Sequence, residues 1–153
     1  MQAREGLASG ACHRCRGTGV LFRPAGATAE AGLCECARHC TVCGDARYLF
    51  ERDAAGRELA RMCDCERRRV RVRLYNEARV PARYFDAELG QPSGDRSYVA
   101  AFNSIKLLAK DYQSGHRSML LMGRPGTGKT WLVCAFVREL IFRHGVPVMF
   151  RDF

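Results

Sequence analysis

The chain has 153 residues, a length that suits one ordinary domain or two small ones. No apolar run approaches the roughly 18 residues of a membrane-spanning helix, and the first residues lack the apolar stretch of a secretory signal. The sequence therefore predicts a cytoplasmic protein that has no membrane partner.

The formal net charge is +9, and only three of the 25 basic residues are lysines. This excess of arginine has two explanations, a GC-rich gene or a nucleic-acid partner, since clustered guanidinium groups bind phosphate. If the eight cysteines are ionised, they add eight negative charges, and two Zn²⁺ ions add four positive charges. The net charge of the metal-bound chain would then be +5. The net charge alone is therefore weak evidence for DNA binding.

Eight of the nine cysteines precede residue 66 and form an internal repeat. In each copy, a pair separated by two residues is followed, after 18 or 19 residues, by a pair separated by one residue. Each copy is too short to build a hydrophobic core by itself. The first cysteine module contains Cys12, Cys15, Cys34 and Cys36, and the second contains Cys40, Cys43, Cys63 and Cys65.

Zinc explains this spacing best. A hairpin brings the two pairs of a module together as a tetrahedral Cys₄ site requires, and the metal supplies folding free energy that a small core lacks. We therefore predict two Zn²⁺ ions. Disulfides and an iron–sulfur cluster are the alternatives, and a reduced cytosol disfavours the disulfides. We expect each module to close on itself, although ligation across the modules also satisfies the spacing. Four thiolates saturate each site, so His13 and His39 are interpreted as non-ligands.

Both modules contain strand candidates between their cysteine pairs. In the second module, residues 47–52 and 57–62 are predicted to form a hairpin. In the first module, residues 19–22 and 31–33 are the strand candidates, and the connecting residues 23–30 look less regular.

Residues 66–79 contain good helix formers and no breaker, and a proline follows at residue 81. Five arginines lie between residues 67 and 73. Such a run forms a solvated helix face, or it contacts DNA phosphates or an acidic partner surface. The residues expected to share the apolar face of this helix are Val70, Leu74 and Ala78.

The remaining residues read as two helices and two strands. Spacing of apolar residues predicts helices over residues 96–113 and 131–144, and the first is expected to end at Ser114-Gly115. Short apolar runs predict strands over residues 118–122 and 146–150. The ninth cysteine, Cys134, lies in an apolar helix and is interpreted as a buried, inert thiol.

Between the first of these strands and the second helix lies a phosphate-loop (Walker A) motif, G-x-x-x-x-G-K-[ST]. Glycines let the main chain approach a ligand, and successive backbone N–H groups then form an anion-binding nest at a helix N-terminus. Lys129 would bind the β- and γ-phosphates of a nucleotide, and Thr130 would bind Mg²⁺. The motif residues are Gly123, Arg124, Pro125, Gly126, Thr127, Gly128, Lys129 and Thr130.

Residues 76–152 resemble the start of the AAA+ module of DnaC/IstB-type proteins, which are helicase loaders and transposition helpers. The resemblance rests on Asn-Glu-Ala-Arg-Val-Pro-Ala-Arg-Tyr-Phe at residues 76–85 and on residues 120–132, which contain the phosphate loop. Trp131 departs from the family, in which many members have His.

The resemblance implies an α/β fold, a P-loop NTPase (AAA+) partial parallel sheet with helices, preceded by a zinc-ribbon-like hairpin domain. It implies ATP and Mg²⁺ as ligands and self-association in the full-length family. The zinc domain would dock a replicative helicase or another protein, with DNA as a further partner. The expected domains are residues 1–66 (zinc-binding), 67–80 (basic helical connector) and 81–153 (the N-terminal part of the ATPase).

No Walker B acid pair, sensor residue or arginine finger follows the phosphate loop, so we expect a truncated protein and assign no catalytic residue. The main hypothesis is an ATP-binding helicase loader or DNA-replication accessory. A zinc-binding docking module with a vestigial ATPase segment and an IstB-like transposition helper are the alternatives.

Overall fold

The computed structural model describes residues 12–90, 96–113 and 118–151. The chain divides into two compact bodies. The N-terminal body comprises Met1–Phe22 and Ala31–Arg73, and the C-terminal body comprises Arg23–Glu30 and Leu74–Phe153.

Each cysteine module contains one antiparallel hairpin. Strands β1 (Val20–Ala25) and β2 (Thr28–Leu33) form the first, and β3 (Tyr48–Arg52) and β4 (Glu58–Met62) form the second. The second hairpin confirms the prediction. The first is longer and more regular than predicted, because Gly26 has a φ of +60° that allows a two-residue turn.

Helix α1 (Asp64–Glu77) begins inside the last cysteine pair, two residues earlier than predicted. The helix ends before Pro81, and Arg79, two residues after the helix, has a φ of +56°. Of the predicted apolar face, Ala78 is buried, whereas Val70 and Leu74 are half-buried. The helix therefore joins the second cysteine module directly to the residues that follow.

The C-terminal body is built around two longer helices. Helix α2 spans Arg96–Lys110, and helix α3 spans Lys129–Glu139 and continues as a π-helical turn over Leu140–His144. Gly145 ends this turn in the left-handed conformation. A hydrophobic cluster holds the two helices together through Phe102, Ile105 and Leu132.

Residues 118–122 and 146–150 do not form the predicted strands. The sheets of the described residues are the two antiparallel hairpins, so the parallel sheet of the predicted fold is not seen there. A strand needs a neighbouring strand for its backbone hydrogen bonds, and Phe150 instead donates its N–H to the turn residue Ala78 (2.8 Å). Leu120 and Met122 bury no apolar face, since they are 79% and 83% exposed.

The prediction that the helix beginning at residue 96 extends to residue 113 is wrong, because α2 ends at Lys110. Ser114-Gly115, the predicted helix end, lies outside the described residues. Among the helices that are described, none has the length and apolar character needed to cross a bilayer.

Candidate functional site

The eight N-terminal cysteines form two clusters, one in each module. Within a cluster, all four sulfur atoms lie within 4.8 Å of one another. The grouping is therefore the one in which each module closes on itself. Cys12, Cys15, Cys34 and Cys36 form the first cluster, and Cys40, Cys43, Cys63 and Cys65 form the second.

The distances between sulfurs fit a tetrahedral metal site. The Sγ atoms of Cys12 and Cys34 are 3.8 Å apart, and those of Cys15 and Cys36 are 3.5 Å apart. The corresponding pairs of the second cluster repeat these values. A Zn–S bond of about 2.3 Å places two tetrahedral ligands about 3.8 Å apart, whereas a disulfide needs about 2.05 Å. All eight thiols are free. The donor set and its spacing therefore suit Zn²⁺.

A tight turn positions the first cysteine pair. The backbone N–H of Thr18 donates to the carbonyl of Cys15 (3.0 Å), and the N–H of Gly19 donates to the Cys15 sulfur (3.3 Å). The carbonyl of Gly19 then accepts from the N–H of Cys34 (2.9 Å) and ties the turn to the second cysteine pair. Backbone N–H groups aimed at sulfur stabilise a thiolate, as metal binding requires.

In the second cluster, Asp45 positions the first cysteine pair. Its carboxylate accepts from the backbone N–H of Cys40 (2.7 Å) and lies 3.0 Å from Nδ1 of His39. The hydrogen bond with His39, followed by that from Cys40, lowers the pKa of Asp45. His39 therefore has a partner other than a metal. The sequence reasoning missed Asp45, although an Asp two residues after a C-x-x-C pair is a typical turn-capping signal.

Two thiols of the first cluster have pKa values that are shifted in opposite directions. A hydrogen bond from the backbone of Cys15, followed by one from Cys36, lowers the pKa of Cys12 to about 6. Cys36 is exposed as a residue, but its sulfur faces the other thiols. Loss of hydration, followed by hydrogen bonds with Cys15 and Cys34, raises its pKa to about 12. Four adjacent thiolates repel one another, so a cation is needed to hold all four in the ionised state.

The second cluster shows the same division. Burial opposes ionisation of Cys40, but hydrogen bonds from the backbone of Cys43 and Val42 outweigh it and lower the pKa to about 7. Burial, followed by the hydrogen bond with Cys43, raises the pKa of Cys65. Each cluster thus contains one thiol with a lowered pKa, whereas the pKa is raised at Cys36 in the first cluster and at both Cys63 and Cys65 in the second.

Two arginines of α1 contact the first cysteine module. The Arg68 side chain packs against Gly19, and Arg69 donates through Nη2 to the carbonyl of Arg38 (3.1 Å). Part of the arginine run therefore has a structural role within the N-terminal body. Spacing along the helix could not show this, because the contacts are made across 31 or more residues of sequence.

The phosphate-loop motif lies in the C-terminal body and leads into α3. Gly126 and Gly128 have φ values of +82° and +81°, a conformation that favours glycine. Gly128 is the N-cap of α3, and its carbonyl accepts the first helical hydrogen bond from Leu132 (2.9 Å). The loop therefore turns onto a helix N-terminus, as the motif predicts.

Within the loop, Lys129 lies across the preceding main chain. Its ammonium group donates to the carbonyl oxygens of Gly123 and Arg124, both at 2.8 Å. The hydroxyl of Thr127 donates to the same Arg124 carbonyl (3.0 Å). Thr130, the predicted Mg²⁺ ligand, is half-buried in the first turn of α3. Gly123, Arg124, Pro125, Gly126 and Thr127 are exposed.

Cys134 is separate from both clusters. It is 1% exposed, and burial raises its pKa to about 12. A thiol that stays protonated is neither a good nucleophile nor a good metal ligand. This agrees with the prediction of an inert core thiol.

Comparison with known proteins identifies the family to which the chain belongs. The family model described as "IstB-like ATP binding protein" matches residues 57–153, which include β4, the last cysteine pair, and the whole phosphate loop. No curated protein and no solved structure matches this chain. Because the family model covers more than half of the sequence, the chain belongs to the family of IstB-like ATP binding proteins.

Proposed function

We propose that this protein binds ATP with Mg²⁺ at residues 123–130 and docks a partner protein through two zinc-held modules, as a helicase loader or DNA-replication accessory. The observation that carries the proposal is the phosphate loop, which leads onto the N-terminus of α3 within the region matched by the family. The free thiols of the two clusters suit a reduced, cytoplasmic location.

The loop offers the groups that a triphosphate requires. Backbone N–H groups at the start of α3 and the positive end of the helix dipole would bind the phosphates. Open space surrounds Gly126, since a β-carbon there would have no neighbour within 4 Å. Lys129 would exchange the carbonyls of Gly123 and Arg124 for phosphate oxygens, and Thr130 would hold Mg²⁺.

Zinc would serve a structural purpose in the N-terminal body. In strands β3 and β4, all side chains except that of Leu49 are exposed, including Phe50 and Leu59. Burial of apolar surface alone therefore cannot hold this module together. A structural Zn²⁺ ion contributes its binding free energy to folding. The modules would then present rigid hairpins to a partner, for which we propose a hexameric replicative helicase, with self-association and DNA contact in the assembled complex.

A second candidate is a zinc-held docking module whose ATPase segment no longer functions. Two observations favour it. The Lys129 ammonium binds carbonyls of its own loop, and residues 118–122 form no strand that would anchor the loop to a sheet. A transposition helper of the IstB type has the same chemistry and differs in its partner.

Titration calorimetry with Mg·ATP separates the first two candidates. We expect saturable binding that weakens about tenfold to a hundredfold in Lys129→Ala, because charged hydrogen bonds to phosphate are lost. Lys110→Ala, at an exposed lysine of α2, is the matched control and should bind like the wild type. Absence of binding to the wild-type chain would contradict the ATP-binding proposal.

Binding to immobilised helicase, with and without nucleotide, tests the docking. Loss of docking with a zinc chelator and a change with ATP would support the loader proposal. Docking that depends on zinc but is insensitive to ATP and to Lys129→Ala would support the second candidate. Binding to an immobilised transposase instead of helicase would identify a transposition helper.

A further inference from the structure

The hairpin of the second cysteine module has an exposed apolar face. Register pairs Tyr48 with Met62 and Phe50 with Ala60, so these four side chains share one face, here called the hairpin face. Tyr48, Phe50 and Met62 are 44%, 67% and 37% exposed. Contiguous apolar side chains on a protein surface are typical of an interaction site.

The edge of the same hairpin also has unused hydrogen-bonding groups. At the two ends of the ladder, the backbone N–H of Cys63 donates to the carbonyl of Arg47 (2.8 Å), and that of Asp53 donates to the carbonyl of Arg57 (3.0 Å). Hydrogen-bonded and non-hydrogen-bonded pairs alternate in an antiparallel ladder. The backbone groups of the β4 residues in the non-bonded pairs therefore point away from β3. These residues are Glu58, Ala60 and Met62, and no other element of the described chain pairs with them.

The first hairpin shows what covers such an edge. The N–H of Ala29 donates to the carbonyl of Val80 (2.7 Å), and Thr28 forms an antiparallel bridge with Pro81. Counted back from the cysteine that follows each strand, Ala29 of β2 corresponds to Glu58 of β4. An extended, apolar segment of the chain thus pairs with the outer edge of β2, whereas the equivalent edge of β4 is bare.

Charge around the second hairpin disfavours a nucleic-acid ligand. Arg61 is paired with Glu51 (2.9 Å), and Arg57 with Asp53 (2.7 Å). Arg47 lies 3.8 Å from Glu66. These arginines are neutralised by carboxylates of the same module, so the surface is balanced in charge and suits an apolar protein segment.

We propose that the outer edge of β4 and the hairpin face bind an extended segment of a partner protein by β-strand addition. Main-chain hydrogen bonds to Ala60 and its neighbours would align the segment, and alternate apolar side chains of the segment would contact Phe50 and Met62. The inference rests on the docking role proposed above for the zinc-held modules, and it identifies the surface and the form of the partner.

The test uses the full chain, loaded with zinc, to select from a displayed library of random peptides. Selected peptides are synthesised, and their dissociation constants are measured by fluorescence polarisation. We expect apolar residues at every second position of the selected peptides, as an extended strand requires. We also expect slower amide hydrogen exchange at Glu58, Ala60 and Met62 in the complex.

Two variants test the surface directly. Ala60→Pro removes an outward N–H without removing a bond to β3, and Phe50→Ser removes the largest apolar contact. Each should weaken peptide binding about tenfold. Leu59→Ser is the matched control, because Leu59 is 53% exposed on the opposite face, and it should bind like the wild type. Zinc content, measured for every variant, must stay unchanged for the comparison to count.

Several results would overturn the inference. They are failure to select any peptide, selection of peptides with helical spacing, and Ala60→Pro or Phe50→Ser binding no more weakly than Leu59→Ser. Sedimentation that shows a dimer abolished by Ala60→Pro would assign the edge to a second copy of this chain and would also overturn it. Zinc-dependent helicase docking that survives both variants would leave the proposed function intact while refuting this surface.

Discussion

Arg68 and Gly19 are packed so closely that Nε of Arg68 lies 2.9 Å from the position that a β-carbon on Gly19 would take. Gly19 also has a φ of +73° and donates its N–H to the sulfur of Cys15. Helix α1, which starts at the second cysteine cluster, thus closes over the turn that orients the first. Within the N-terminal body, one helix supports both clusters.

This contact makes Gly19 less tolerant of an added side chain than Gly26. We expect Gly19→Ala to lower the free energy of unfolding by about 2–3 kcal/mol, through backbone strain and overlap with Arg68 and Ala37. Gly26→Ala, with a similar φ but no neighbour within 4 Å, should cost only about 1 kcal/mol. Urea unfolding of the zinc-loaded proteins measures both. Equal losses would show that the contact with α1 contributes nothing.

Zinc stoichiometry should follow the clusters. We expect two Zn²⁺ ions per wild-type chain and one in Cys65→Ser, since three thiolates hold the metal much more weakly than four. Cys134→Ser should keep two, because Cys134 is buried and belongs to neither cluster. Native mass spectrometry counts the ions. Retention of both ions in Cys65→Ser would contradict the assignment of the second cluster.

The contact between α2 and α3 should depend on Phe102, which is 1% exposed at the centre of their hydrophobic cluster. Phe102→Ala should lower the free energy of unfolding by about 3–5 kcal/mol because it leaves a cavity. Leu107→Ala on the same helix should change it by less than about 0.5 kcal/mol, since Leu107 is 61% exposed. Thermal unfolding followed by circular dichroism gives both values, and similar shifts in the two variants would refute this packing.

Tyr75 should make stability depend on alkaline pH. Burial raises the pKa of Tyr75 to about 12, from 10.0 in an exposed tyrosine. The unfolded chain therefore loses this proton first. Its contribution to stability is complete below pH 10 and is lost as the pH rises through 12.

Comparison with Tyr75→Phe isolates this effect. Between pH 10 and 12, the wild type should lose stability faster than the variant, while the difference between them stays constant below pH 9. Urea unfolding across this range measures the difference, and absorbance at 295 nm follows the ionisation itself. Parallel curves for the two proteins would show that Tyr75 ionises as an exposed tyrosine does.

The sequence by itself determined the motifs whose chemistry depends on neighbours along the chain. The eight cysteines of the two clusters, the second hairpin, and the phosphate loop before α3 were all predicted from spacing. Such motifs are legible because turn geometry and the helical or strand period act over a few residues. The family match over residues 57–153 confirms the IstB-like resemblance that those residues indicated.

Only the tertiary structure decided which groups support these motifs. The contacts of Arg68 with Gly19 and of Arg69 with the Arg38 carbonyl depend on how the chain folds back over 31 or more residues, which no local pattern encodes. The apolar runs at residues 118–122 and 146–150 were predicted to be strands, and that prediction was wrong. A strand exists only when another strand accepts its hydrogen bonds, so an apolar run of the right length did not become one.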